Sequence, residues 1–185
     1  MLILGIDPGS RKSGYGLIDF DQKNFRYIDS GVIHYDSKKE IIVRLKEIYE
    51  TSLELVNKFK PDEIAFESLI LVKSPTSLMK LAQARGAIIS ACHKNPNQKV
   101  FEYSPNLIKS SVSGHGHADK TSIQKMLSLT LGQRKFSTDD ESDALAIAIC
   151  HAINRNRVIA SGKGKSARSN GMASSLSHKI KESHL

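Results

Sequence analysis

Three strand-like stretches crowd into the first 34 residues, joined by short links. Leu2-Ile3-Leu4-Gly5-Ile6-Asp7 is an apolar run of the kind a buried strand presents. After the turn Pro8-Gly9-Ser10, residues 14–20 (Gly-Tyr-Gly-Leu-Ile-Asp-Phe) read as a second strand. A third covers 26–34, ending at His34 or Tyr35. Short links suggest an antiparallel meander. The pattern then changes period. Ile42, Leu45, Ile48, Tyr49, Leu55, Val56 and Phe59 recur at helical spacing, which predicts an amphipathic helix over 39–60, broken by Pro61-Asp62. Glu63–Glu67 is a fourth strand, reached by a helical crossover and hence parallel to a neighbour.

Ser74-Pro75 is an N-cap and first-turn pair, and the helix it opens stops near Asn95-Pro96. Lys99–Tyr103 is a fifth strand. Ser104-Pro105 repeats the cap signal for a short helix to about Val112, and Ser113-Gly114-His115-Gly116-His117 reads as a flexible loop. Two more helices are expected at 119–131 and 139–154. From Arg155 on, Gly, Ser, Asn and Lys dominate without periodicity, which predicts disorder. Three strands followed by alternating helix and strand describe an α/β layered domain with a mixed five-stranded sheet. The expected division is a folded domain over 1–154 and a basic tail over 155–185.

A chain of 185 residues with 39% hydrophobic content suits one domain with a sizeable core. No apolar run is long enough to span a membrane, and the start has no basic region of the kind that opens a signal peptide. Cys92 and Cys150 lie in apolar, helix-like stretches and read as buried free thiols, and no Cys/His pattern has zinc spacing. A cytoplasmic protein is expected. The net charge of +8 suggests a polyanionic partner, but +6 of it lies from Arg155 on. Charge alone does not decide between a nucleic-acid contact and a solubilising end.

Four acids carry more information: Asp7, Glu67, Asp140 and Asp143. Asp7 and Glu67 end two apolar strands. Asp140 and Asp143 are three apart near the start of a helix and face the same way. A carboxylate cluster is costly unless a cation holds it together, so a divalent metal site is the first hypothesis. Hard oxygen ligands select Mg²⁺ or Mn²⁺ over zinc. Two such ions about 4 Å apart can activate a water and stabilise the leaving oxygen of phosphodiester cleavage. Each acid also has a plainer reading. Asp7 suits an Asp-Pro-Gly turn, and Glu67 could be a solvated strand end. Thr138-Asp139-Asp140-Glu141 fits a capping box, which accounts for Asp139 and Glu141 and partly for Asp140. It does not account for Asp143, which enters the apolar run 144–149. His115 and His117 have no third ligand nearby in sequence and suit a DNA-facing loop better than catalysis. Lys73, Arg85, Lys109 and Lys120 follow the strands, on helices or loops. Near a metal site they could hold phosphates.

Taken together, these segments resemble the RuvC family of bacterial Holliday-junction endonucleases. The resemblance rests on Gly5-Ile6-Asp7-Pro8-Gly9-Ser10, Gly14-Tyr15-Gly16, Glu67, Lys80-Leu81-Ala82-Gln83-Ala84-Arg85-Gly86, and Asp140-Glu141-Ser142-Asp143-Ala144-Leu145-Ala146, in that order over 1–154. It implies an RNase H-like fold and a homodimer whose subunits each nick one of two opposed strands of a four-way junction. The cofactor implied is Mg²⁺, two ions, with Mn²⁺ as substitute. Asp7, Glu67, Asp140 and Asp143 would be the metal-binding catalytic acids, and Lys109 and Lys120 would lie near the cleaved phosphate or junction DNA. The RuvA and RuvB branch-migration proteins are the implied partners. Where the family often carries an aromatic that stacks on junction bases, this chain has Ile70, followed by Leu71. An aliphatic wedge can still unstack a base step, but ring stacking is lost.

Two other readings compete. Phosphotransferases of the actin and sugar-kinase type also begin with a strand, an Asp and a Gly turn, but they need two lobes and this body is too short. A non-catalytic DNA-binding module would use the acids only as caps and turn residues and would show no Mg²⁺-dependent cleavage.

Overall fold

The computed structural model describes residues 1–21, 24–69, 74–114, 116, 118–132 and 136–162. The meander forms as β1 (Leu2–Asp7), β2 (Lys12–Asp21) and β3 (Asn24–His34). Helix α1 (Ile41–Phe59) crosses to β4 (Glu63–Glu67), and α2 (Pro75–Cys92) crosses to β5 (Lys99–Tyr103). The described helices end with α3 (Pro105–Ser113), α4 (Lys120–Leu131) and α5 (Asp139–Gly162). The sheet order is β3-β2-β1-β4-β5. The meander pairs are antiparallel, while β4 is parallel to both β1 and β5. Asp7 and Glu67, the last residues of two parallel neighbours, therefore end at the same edge of the sheet.

The helix starts follow from short side chains. The hydroxyls of Ser74 and Ser104 accept from the amides of Ser77 and Leu107, each with a proline just inside the helix. Asp119 does the same for α4 at 2.7 Å from the Ser122 amide. The expected disorder from Arg155 is corrected for eight residues, because α5 continues to Gly162. Once a helix is running, each added residue costs little, and 155–161 contain no proline or glycine to stop it. Contacts divide the chain into two units, Met1–Ile153 and Asn154–Leu185. Ile70, Lys73, His115, His117 and the tail beyond Gly162 lie outside the described residues.

Successive strand residues point to opposite faces. Leu4, Ile6, Leu17, Ile64 and Phe66 face one way and build the main core with Ile48, Leu55 and Val56 of α1 and Ala84, Ile88 and Cys92 of α2. The other face carries Gly5 and Asp7 of β1, Gly14 and Gly16 of β2, and Glu63, Ala65 and Glu67 of β4. Helix α5 lies there almost in contact with the backbone. A Cβ at Gly16 would come 2.7 Å from the Leu145 amide nitrogen, and one at Gly5 would come 2.7 Å from that of Ala148. A Cβ at Gly14 would run into the carbonyl of Asp140. Further along α5, the buried His151 ring bridges two strands. Its Nδ1 is 2.7 Å from the Tyr103 hydroxyl and its Nε2 is 2.8 Å from Glu63 Oε2. The helix is thus set against the sheet at several points, and its first turn is carried to the edge where Asp7 and Glu67 end.

Because backbone rather than a flexible side chain opposes Gly16, substitution must push α5 off the sheet. Gly16→Ala is expected to destabilise the protein by about 2–4 kcal/mol, read as a lower urea midpoint at unchanged m-value. An unchanged midpoint would mean the helix can lift without cost.

Candidate active site

Asp7 is the centre of the acid cluster. It ends β1 opposite Gly14, whose missing side chain lets the first turn of α5 approach. Its carboxyl is pushed up to about 7, first by burial and then by the charges of Asp143, Glu67 and Asp140, against a smaller pull from Lys120. All four acids picked out in the sequence therefore share one electrostatic site. Glu67 is also raised, by burial and by Asp143, with Lys109 opposing. Asp143 is raised by burial despite its bond to Lys120. Among the described residues, no hydrogen bond reaches the side chains of Asp7 or Glu67.

The two helix acids are differently placed, each held by a lysine. Lys12, at the start of β2, pairs with Asp140. Lys120, the first residue of α4, pairs with Asp143 at 3.1 Å and with Asp139 at 3.2 Å. Burial would lower the Lys120 ammonium, but these carboxylates outweigh it and hold it above its usual range. Glu67, Asp143, Lys109 and Lys120 line one cleft of about 290 Å³. Its remaining wall is largely apolar, from Ile108, Ile123 and Ile147.

The cap of α5 forms with a shift. Thr138 Oγ1 accepts from the Glu141 amide at 3.3 Å, as the capping box predicts. The Glu141 carboxylate does not return to Thr138. It accepts from the Ser137 amide at 2.8 Å and from the hydroxyls of Ser137 and Ser30, both at 2.6 Å. Burial pushes this group up, and the hydrogen bonds more than reverse it. Asp139 pairs with Lys120 and accepts from Gln124 at 3.1 Å. Glu141 thus stands apart from Asp140 and Asp143, whereas Asp139 shares Lys120 with Asp143.

Arg85 stands apart from the DNA contacts expected of it. Its guanidinium is mostly buried, 2.9 Å from Glu102 and over the Phe66 ring. It ties α2 to the sheet, and reaching DNA would mean leaving that pair. Lys12 is the site residue the sequence reading missed. Its signal was its position, a basic residue two places after the Asp-Pro-Gly-Ser turn and the first of β2. Both cysteines are buried and free, and burial pushes Cys92 up to about 12, so it is no nucleophile.

The donor set suits a hard divalent cation. Buried acids that raise one another's proton affinity are relieved by positive charge, and every donor is oxygen. Among the described residues no three metal-ligating side chains yet enclose a single position. For these acids to hold an ion, Lys12 and Lys120 would have to give up Asp140 and Asp143. An ion would also compete with the proton on Asp7, so affinity for the ion would rise with pH.

The sign of the pH dependence follows from Asp7. Its folded pKa lies above the unfolded value, so the folded state binds more protons between about pH 4 and 7. Stability of the metal-free protein therefore falls as pH rises through that window. Asp7→Asn should flatten the loss and raise the melting temperature in EDTA at pH 8 by roughly 3–8 °C. Calorimetry of both proteins from pH 5 to 8 checks this. Parallel curves would show that Asp7 carries no such strain.

Similarity to known proteins agrees with this geometry. The profile of the family described as "Crossover junction endodeoxyribonuclease RuvC" matches residues 3–151. The RuvC of Vibrio parahaemolyticus is 44% identical over 168 residues, covering 90% of this chain and 96% of the relative. That of Geobacter metallireducens is 42% identical over 152 residues, covering 82% and 92%. Among solved structures, Thermus thermophilus RuvC in complex with a Holliday junction substrate superposes with a TM-score of 0.79 at 28% identity, covering 85% of this chain and 96% of that one. The yeast mitochondrial Holliday junction resolvase, 14% identical with a TM-score of 0.61, shares the fold. The sheet order, the acids at its edge and the match along 3–151 lead to one assignment: the chain has an RNase H-like fold and belongs to the RuvC family of crossover junction endodeoxyribonucleases.

Proposed function

We propose that this chain is a structure-selective endonuclease that resolves Holliday junctions in DNA recombination and repair. It would do so by two symmetric nicks in strands of like polarity. The observation that carries the reading is the convergence of Asp7, Glu67, Asp140 and Asp143 at one sheet edge, with Lys109 and Lys120 in the adjoining cleft. Thermus thermophilus RuvC, of the same fold, is described in complex with this kind of substrate.

The four acids would hold Mg²⁺, two ions, with Mn²⁺ as substitute. Bound there, such ions activate a water and stabilise the leaving oxygen. The protein's own part is placement and charge. Asp7 and Glu67 stand on stiff strand ends, and Asp140 and Asp143 share one helix face. Lys109 and Lys120 offset the charge of the scissile phosphate, while the apolar wall of the cleft limits water around it. Lys73 and Ile70 belong to the same proposal as DNA contacts, Ile70 as an aliphatic wedge at the crossover.

A homodimer fits the substrate, because a two-fold pair of sites matches two symmetric cuts in a near-two-fold junction. RuvA and RuvB are the proposed partners, and the cytoplasm, where the DNA lies, the proposed location. No described helix is long and apolar enough to cross a membrane.

Incubation with a labelled four-way junction, with and without Mg²⁺, tests the reading. Paired symmetric nicks that require the ion are expected. Asp7→Asn or Asp143→Asn should cut at least about 1,000-fold more slowly while still binding the junction. Full nicking by Asp7→Asn would sink the assignment. No Mg²⁺-dependent cleavage of any substrate would favour a non-catalytic DNA-binding module. Equal cutting of linear duplex would point to a general nuclease.

A further inference from the structure

The sheet edge that presents the acids carries a second cleft, on the α1 and α2 side, which the cleavage chemistry leaves unused. Three connections meet there. The β1–β2 turn contributes Ser10 and Arg11, the β3–α1 link contributes Ser37 and Lys38, and the start of α2 contributes Ser77 and Lys80. The space between them is about 500 Å³. By topology all three connections leave the edge where Asp7 and Glu67 end.

Its floor is built in advance. Arg44 is buried at 7% exposure, yet its guanidinium faces backbone alone. It donates to the carbonyls of Ser10 and Lys39 at 2.6 Å each, of Asp36 at 3.1 Å and of Ser37 at 3.2 Å. One buried cation thus pulls the carbonyls of both links inward and fixes their path. The other basic groups face solvent. Lys39 is partly neutralised, at 3.6 Å from both Asp36 and Glu47, and Glu40 is the one acid in the wall. Arg11, Lys38 and Lys80 remain exposed, and among the described residues none of them has an ion-pair partner. Helix α1 also begins here without a side-chain cap, which leaves the positive end of its dipole uncovered.

We propose that this cleft binds the sugar-phosphate backbone of a junction arm next to the cleaved strand. This rests on the nuclease reading above. The chemistry fits phosphodiesters, since hydroxyls and cations contact phosphate oxygens. The wall has no aromatic ring on which a base could stack. The contact therefore positions DNA without reading its sequence. The cations are spread over three connections rather than gathered in one buried cradle, which fits a row of phosphates better than one free anion. Ser10 is three residues from Asp7, a reach of about 10 Å at most, or about three nucleotide steps of 3.4 Å.

The test is junction binding by the full chain in EDTA, as a function of salt, for wild type and for Lys38→Ala with Lys80→Ala. Losing two phosphate contacts should reduce the slope of log K against log salt by about 1.8, and weaken binding at least about tenfold at 0.1 M salt. Ethylation of phosphates within a few steps of the cut should interfere with wild-type binding and not with the double variant. A control pair at the opposite ends of α1 and α2, Lys58→Ala with Lys94→Ala, should change the slope by much less. An unchanged slope in the Lys38/Lys80 variant overturns the proposal, as does an equal loss in the control. Stabilisation of wild type alone by millimolar inorganic phosphate, with the slope unchanged, would mean a small-anion site and also overturn it. Wild-type nicking in Mg²⁺ is scored separately, so failure of the nuclease reading and failure of this surface are distinguishable. Melting temperatures within about 2 °C of wild type certify that the variants fold.

Discussion

The approach of helix α5 to bare sheet backbone sets the geometry of everything at the active edge. Gly5, Gly14 and Gly16 leave no side chains on that patch of β1 and β2, and backbone groups of α5 fill the space where Cβ atoms would be. Interiors are packed too densely for this spacing to drift by even a methyl group. The helix therefore cannot rise or slide without opening a void or a clash. Its register decides where Asp140 and Asp143 stand relative to Asp7 and Glu67. Glu63, His151 and Tyr103 make a second fixed point on the same helix, this time through hydrogen bonds in a dry setting. Steric fit at one point and polar satisfaction at the other hold one rigid element by independent means.

Much of the fold was legible because each element is signalled by local chemistry. Serines before prolines and the change of apolar period from strand to helix are both local facts. Strand directions followed from link lengths. The acids were legible for a related reason, since Asp143 enters an apolar run where an unpaired charge has no local explanation. What the sequence left dark depends on partners distant in the chain. The carboxylate of Glu141 turns to Ser30, 111 residues away, instead of closing the capping box. Lys12 meets Asp140 across 128 residues. Arg85 looked like a surface cation until the fold set Glu102 and Phe66 against it. The end of α5 was misplaced because composition suggested disorder where a helix already under way could continue.

The site also shows two ways of using carboxylates on one scaffold. Glu141 is buried and held below its usual range, because serine hydroxyls and an amide satisfy it. Asp7 is buried without a described hydrogen bond and is pushed up instead. Desolvation raises both groups; hydrogen-bond donors reverse it at Glu141, while neighbouring carboxylates add to it at Asp7. A structural acid is surrounded by groups that suit its ionised form. Asp7, the acid proposed to take a cation, is left short of them.

Charge balance then accounts for the basic residues around the acids. In the absence of ions, four carboxylates face the ammonium groups of Lys12, Lys109 and Lys120. A proton shared at Asp7 near neutral pH brings the cluster close to neutrality. Two divalent ions would carry the same total positive charge as those three lysines and that proton. Filling the site is thus an exchange of cations, and it frees the lysines beside the place where a DNA phosphate would bring new negative charge. Lysine suits this duty because its charge is a compact point on a flexible stem, able to move from carboxylate to phosphate, whereas the guanidinium of Arg85, mostly buried over the Phe66 ring and paired with Glu102, is not free to do so.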